Sequence, residues 1–323
     1  MGHGKQDGQR PTYEGRPFAR PDEELVDQGL GFDIGTMVQR RQLLRMFGLG
    51  AAVVGLTAAC GDELTAAPSS STSTGASTSA SGGTAAGEIP DETAGPYPGD
   101  GSNGPNVLNQ SGIVRSDIRS SFGTASGTAA GVPMTLELSI VDMANGDKPF
   151  AGVAVYVWHC DREGRYSLYS QGVTDQNYLR GVQIADASGK VRFTSIFPAC
   201  YSGRWPHIHF EVYPDQASIT DSAKAIATSQ VALPKDVCDT VYATSGYSAS
   251  VQNLKQVTLD SDNVFGNDGG ALQLGTVTGS VSAGYAVALT AKVDTRTTPT
   301  GGGAPGGGPG GGGPGTGGPP PSR

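Results

Sequence analysis

The chain has little of what would mark several other protein classes. Charged residues make up 16% of its 323 positions, and 30 acidic against 22 basic side chains leave a net charge of -8. No basic patch stands ready for a phosphate backbone, which argues against nucleic acid as a partner. No apolar run reaches the roughly 20 residues of a membrane-spanning helix. No long stretch repeats apolar residues at helical spacing, although Ile219 to Ala227 predicts a short helix. Cysteine and histidine number four each, too few for a disulfide-dense scaffold. No internal repeat is visible.

Glycine, at 50 residues, and proline, at 21, are plentiful but unevenly spread. Gly301 to Pro321 contains only Gly, Pro, Ala and Thr and lacks the strict triplet period of collagen, so 295–323 is expected to be a disordered tail. Ala66 to Gly87 is an uncharged tract rich in Ser, Thr, Ala and Gly, which makes 61–87 a flexible tether. Ahead of it, Gln39-Arg40-Arg41-Gln42-Leu43-Leu44-Arg45 precedes an apolar run from Phe47 to Ala59, the pattern of a twin-arginine export signal. Thr57-Ala58-Ala59-Cys60 closes that run like a lipobox, with Thr where Leu is usual. Residues 1–60 therefore predict export by the twin-arginine route and a membrane contact through a lipid on Cys60. Cleavage after Ala59 would instead give a secreted protein. The stretch before Met37 is long for such a signal, so Met1 and Met37 both stand as starts.

What remains, 88–294, is one domain with ample chain for a core. Short alternating segments dominate it: Met134 to Val141, Val153 to Cys160, Val191 to Ile196, His207 to Tyr213, Gln256 to Leu259 and Tyr285 to Val293, separated by turn residues such as Asn145-Gly146-Asp147. They predict an all-β fold, an immunoglobulin-like or prealbumin-like β-sandwich with long loops. Three cysteines lie in it, Cys160, Cys200 and Cys238. Outside the cytoplasm an odd count leaves one unpaired, and a Cys200–Cys238 disulfide is expected because Cys160 sits mid-strand beside Trp158.

The most informative segment is Gly203-Arg204-Trp205-Pro206-His207-Ile208-His209-Phe210-Glu211-Val212. Side chains two apart on a strand leave the same face, so His207 and His209 can converge on one ion while Ile208, Phe210 and Val212 pack the other side. Upstream, two strand-like segments each run into a tyrosine. Val153 to Cys160 leads through Asp161-Arg162-Glu163-Gly164 to Arg165-Tyr166, and Val191 to Cys200 ends at Tyr201. The ordered set Trp158, Gly164-Arg165-Tyr166, Pro198 to Tyr201 and Arg204 to Phe210 resembles the intradiol ring-cleavage dioxygenases, the protocatechuate and catechol dioxygenase family, over about Glu92 to Gln230.

That resemblance implies a non-haem Fe(III) held by Tyr166, Tyr201, His207 and His209, with a catecholic small molecule and O2 as the reactants and cis,cis-muconate-type diacids as products. It makes Tyr201 the ligand that leaves when substrate binds, Arg204 the catalytic cation beside charge developing on the substrate, and Gln230, Pro96 and Tyr97 pocket residues. The charges agree with the metal: two phenolates and one hydroxide offset three positive charges, and hard phenolate oxygen suits ferric iron. His159 reads as a pocket or structural residue more than as an extra ligand. Only two residues separate Tyr201 from Arg204, fewer than in intracellular relatives, which implies a more open pocket. Two rival readings stand: zinc or copper on His207, His209 and His159, or a non-catalytic surface domain that binds a polymer or protein.

Overall fold

The computed structural model describes residues 87–301, together with Thr12–Tyr13 and Arg16–Pro17, which pair antiparallel. The export signal, the lipid anchor on Cys60, nearly all of the tether and most of the tail expected above lie outside the described residues.

Two sheets stack. In the first, β1 (Pro133–Asp142) pairs antiparallel with both β2 (Lys148–Pro149) and β5 (Lys190–Ile196). Its other edge pairs in parallel with β9 (Gly284–Val293), which carries β8 (Thr276–Ser280) outside it. The second sheet runs β4 (Arg180–Ile184), β3 (Ala154–Trp158), β6 (His207–Tyr213), β7 (Ala227–Ala232), antiparallel throughout. The fold is a β-sandwich, as expected.

Period-two alternation explains the layering. On β1, Met134, Leu136, Leu138 and Ile140 are buried while their neighbours are half-exposed, so this sheet has one wet face. Strands β3 and β6 are buried along their whole length. One face of each, Val155 and Val157 with Ile208, Phe210 and Val212, joins the core between the sheets. On the opposite face, Ala154, Tyr156, Trp158 and Tyr213 pack into a second core with Val107, Leu108 and Ile113 from the long loop before β1. The polar residues of β6 share that second face, so the loop covering it seals His207 and His209 away from water.

Several expectations need correction. Gln256 to Leu259 is no strand: Thr258 and Ser261 bond each other's backbone and hydroxyls, which closes a turn and leaves no ladder to join. Ile219 to Ala227 is not one helix. Asp215 and Asp221 each cap a single turn, Gln216–Ser218 and Ser222–Lys224, and Ala227 already begins β7. Helices α1 (Lys235–Tyr242) and α2 (Ser248–Leu254) were not foreseen. Nor is there a Cys200–Cys238 disulfide: Cys160, Cys200 and Cys238 are all free and buried. Burial pushes the Cys200 thiol up to about 12, which keeps it protonated and unreactive toward exchange.

Candidate metal centre

His207 and His209 leave β6 on one face, and register sets their neighbours. Trp158 of β3 lies opposite His209, and Gln230 of β7 lies on its other side. The Trp158 indole stacks on the His209 ring at 4.8 Å between centroids and 7° between planes, which fixes that imidazole's plane.

The two tyrosines arrive on loops fastened to each other. Asp161 builds the turn before Tyr166: its Oδ1 accepts from Glu163 and Arg165 N at 3.0 and 2.9 Å, and its Oδ2 accepts from Arg165 Nε at 2.9 Å. Gly164 is required there, with φ +88°, and a Cβ would sit 3.3 Å from Cβ of Tyr201. Ala199 N donates to Asp161 O at 3.2 Å, tying in the second loop. Helix α2 completes the fastening, since Ser250 Oγ accepts from Cys200 N at 3.0 Å and Asn253 Nδ2 donates to Cys200 O at 2.9 Å.

Four donor atoms meet as a result. His207 Nε2 lies 3.1 Å from His209 Nε2, 3.2 Å from the Tyr201 hydroxyl and 3.5 Å from the Tyr166 hydroxyl. Trp205 O lies 2.5 Å from His207 Nδ1. A carbonyl only accepts, so Nδ1 carries the proton and Nε2 turns a lone pair toward the cluster. His209 Nδ1 is buried without a partner. Burial pushes both imidazoles well below their ordinary range, helped by the nearby charge of Arg204. Burial also lifts the Tyr166 phenol well above its ordinary range and the Tyr201 phenol to about 12, while Arg204 pulls the latter down. The protein alone thus holds neutral phenols and neutral imidazoles at one point, a set of lone pairs that a hard cation would satisfy while drawing off the phenol protons.

Among the described residues, no three His, Cys, Asp or Glu side chains gather as a metal site, so an ion here depends on the tyrosines. His159 does not reach it. Its Nδ1 is 2.8 Å from Cys160 O and its Nε2 is 2.7 Å from Ser195 Oγ. Both ring nitrogens are spent on structure, which removes the third imidazole from the zinc or copper reading.

Arg204 stands beside the donors, 14% exposed. Its Nε donates to Asp262 at 3.0 Å and its Nη2 to Gln230 Oε1 at 2.7 Å. Gln230 Nε2 in turn donates to Thr93 O at 3.1 Å, so the segment through Glu92 and Tyr97 is bound to β7. That segment crosses the cluster. Gly95, at φ +74°, would bring a Cβ 3.4 Å from the His209 ring, and the Tyr97 ring lies 5.2 Å from that of Tyr166. Pro96 is placed less directly, its carbonyl accepting from Asn103 Nδ2. Burial raises the Glu92 carboxyl to about 7, against the opposing charge of Arg204. The structure therefore brings Tyr97, Tyr166, Tyr201, Arg204, His207, His209 and Gln230 together, leaves His159 outside the cluster, and adds Asp262, which sits in an ordinary-looking loop, Ser261-Asp262-Asn263, with no local signal.

Residues 103–207 match the family model described as Dioxygenase. The chain is 38% identical over 53 residues to a chlorocatechol 1,2-dioxygenase from Rhodococcus opacus, covering 16% of this chain and 21% of that protein. It is 38% identical over 71 residues to a catechol 1,2-dioxygenase from Pseudomonas sp. (strain EST1001), 22% of each. It thus spans about a fifth of the length of the curated relatives it matches. An intradiol ring-cleavage dioxygenase from Tetranychus urticae shares the fold, with a TM-score of 0.51 and 22% identity over 64% of this chain and 95% of that one. The sequence resemblance and the fold therefore point the same way.

Proposed function

We propose that this protein is a non-haem Fe(III) intradiol dioxygenase that opens catecholic rings with O2 to cis,cis-muconate-type diacids. The observation that carries the reading is the meeting of two phenol oxygens and His209 Nε2 within 3.5 Å of His207 Nε2, a buried cluster that feels the charge of Arg204. Tyr166, Tyr201, His207 and His209 would hold the ion. When bound, ferric iron supplies a Lewis acid and a template for both catechol oxygens.

The chain's own groups divide the remaining work. Tyr166 is buried, whereas Tyr201 is half-buried beside the Tyr201–Arg204 turn. The resemblance to intradiol dioxygenases makes Tyr201 the phenolate that would give way and take a proton from an incoming catechol hydroxyl, and its greater exposure is compatible with that role. Arg204 presents a fixed guanidinium to charge that develops on the ring. Tyr97 and Gln230 flank the place the ring would occupy, with Pro96 beside Tyr97. The same reading includes export by the twin-arginine route and a lipid anchor on Cys60, supported by Arg40-Arg41 and Thr57 to Cys60.

Purified protein should be red-brown with about one iron per chain, since phenolate bound to ferric iron absorbs in the visible, and Tyr166→Phe should shift or bleach that band. An oxygen electrode should register uptake with at least one of catechol, protocatechuate, hydroxyquinol or larger plant phenols. A colourless protein filled with zinc, or one that consumes no oxygen with any catechol, defeats the reading. For location, lysine at both Arg40 and Arg41 should strand precursor in the cytoplasm, and Cys60→Ala should release mature protein from membranes. Unchanged fractionation of Cys60→Ala removes the anchor.

A further inference from the structure

Asp262 accepts five hydrogen bonds on its two carboxylate oxygens, and its side chain is fully buried. The bonds divide between its two oxygens. Oδ1 accepts from Val264 N at 2.8 Å and Phe265 N at 3.1 Å, which is what an aspartate opening a turn ordinarily does. A long 3.4 Å contact from Arg204 Nη2 also falls on it. Oδ2 does something a turn does not need. It accepts from Trp205 N at 2.6 Å and from Arg204 Nε at 3.0 Å, reaching into the short link between Tyr201 and His207. Trp205 is also the residue whose carbonyl receives the His207 Nδ1 proton. One oxygen thus grips the guanidinium and the N–H of the residue whose carbonyl aims an imidazole.

We propose that Asp262 is a positioning residue of this site, its Oδ2 fixing Arg204 toward the substrate and, through Trp205, fixing the tautomer and direction of His207. The proposal rests on the dioxygenase reading for the first role; the second concerns the chain alone. Asp262→Asn is the discriminating change. It can keep Oδ1 and the turn while putting an NH2 where Oδ2 now meets two donors, so the clamp breaks and the turn survives.

If Asp262 acts through Arg204, Asp262→Asn lowers kcat about a hundredfold, the scale for a misplaced electrostatic donor. In an Arg204→Ala background the same change then costs less than about twofold. Losses that multiply instead overturn that role. If Asp262 also acts through Trp205, Asp262→Asn surrenders its iron to a chelator about ten to a hundred times faster in either background, read from the fading visible band, while Arg204→Ala alone does not. Equal release rates overturn the second role. In metal-free protein, nitrogen NMR should show His207 as the Nδ1–H tautomer in the wild type and as a mixture in Asp262→Asn. An unchanged tautomer overturns the proposal whether or not the protein proves to be a dioxygenase. Should Asp262→Asn fail to fold, Asp262→Glu keeps the charge but moves it by one methylene: lost turnover at an unchanged melting temperature supports positioning, and wild-type turnover refutes it.

Discussion

The outer face of β6 carries two buried polar clusters a few residues apart, and they are built on opposite plans. At one end, His207 and His209 meet Tyr166 and Tyr201 with their lone pairs turned toward one point, and His209 Nδ1 has no partner. At the other end, Tyr213 donates to Glu211 at 2.7 Å, and Arg180, 1% exposed, spends its guanidinium on neighbours. Its Nη1 donates to Pro98 O and the Tyr156 hydroxyl, its Nη2 to Tyr97 O and Ser167 O, and its Nε to Ser167 Oγ. Asp100 Oδ2 is left over there, and so is Nε1 of Trp158, whose ring stacks on Tyr156 on one side and His209 on the other. Buried polar groups are ordinarily satisfied. A set whose donors end on backbone carbonyls and fixed hydroxyls is architecture, and four atoms that converge with only one another as partners are arranged to share an ion.

The sharpest way to break that contrast is inside the first cluster. His207→Ala removes one of the four donors and should cost the protein its iron and its colour together. Arg204→Ala should keep both and lose turnover, by roughly a hundred- to a thousandfold, or about 2.7 to 4 kcal/mol of transition-state stabilisation. Metal analysis and oxygen uptake on the two variants decide it. An Arg204→Ala protein that purifies without iron, or turns over its best catechol near the wild-type rate, assigns Arg204 wrongly.

The second cluster should answer in a different currency. Arg180 joins Tyr97 and Pro98, in the segment crossing the site, to Ser167, the neighbour of Tyr166. Arg180→Met removes every one of those donors; Pro98 O keeps the Tyr156 hydroxyl, while Ser167 O loses its guanidinium donor, at about 1 to 3 kcal/mol for a buried group that water cannot reach. Denaturant unfolding should show a loss on that scale, with iron content per folded molecule little changed. Iron lost at unchanged stability would mean that the two clusters are one.

Much of this was legible beforehand where pattern and chemistry coincide. Alternation on Met134 to Val141 and His207 to Tyr213 marked β1 and β6, and the HxH pair on the latter marked the candidate metal centre. What escaped had weak or misleading local signals. Arg180–Ile184 is a short strand that begins on a buried arginine, and Thr276–Ser280 is a largely exposed edge with two glycines near it. Gln256 to Leu259 alternates well enough, yet Thr258 and Ser261 capture the backbone first. Asp262 escaped because its partners Arg204 and Trp205 lie more than fifty residues upstream, a distance that only folding closes.

The smallest effect expected is a pH dependence at the rim between the crossing segment and Arg204. Burial holds the Glu92 carboxyl near 7 against an ordinary 4.5; Asp268 and Asp262 push it further up, while Arg204 and a bond with Gln273 pull it down. The unfolded chain loses this proton near 4.5 and the folded chain near 7, so between those values the folded state binds more protons. Stability contributed by protonated Glu92 is therefore complete below about pH 4.5 and lost as pH rises to about 7, with no further change above. Glu92→Gln keeps the neutral shape at every pH and should lack this slope. Melting temperatures of chelator-treated wild type and Glu92→Gln should diverge in favour of the variant between pH 5 and pH 8. Parallel curves across that window would show that Glu92 titrates alike folded and unfolded, and that the rim is wetter than its burial indicates.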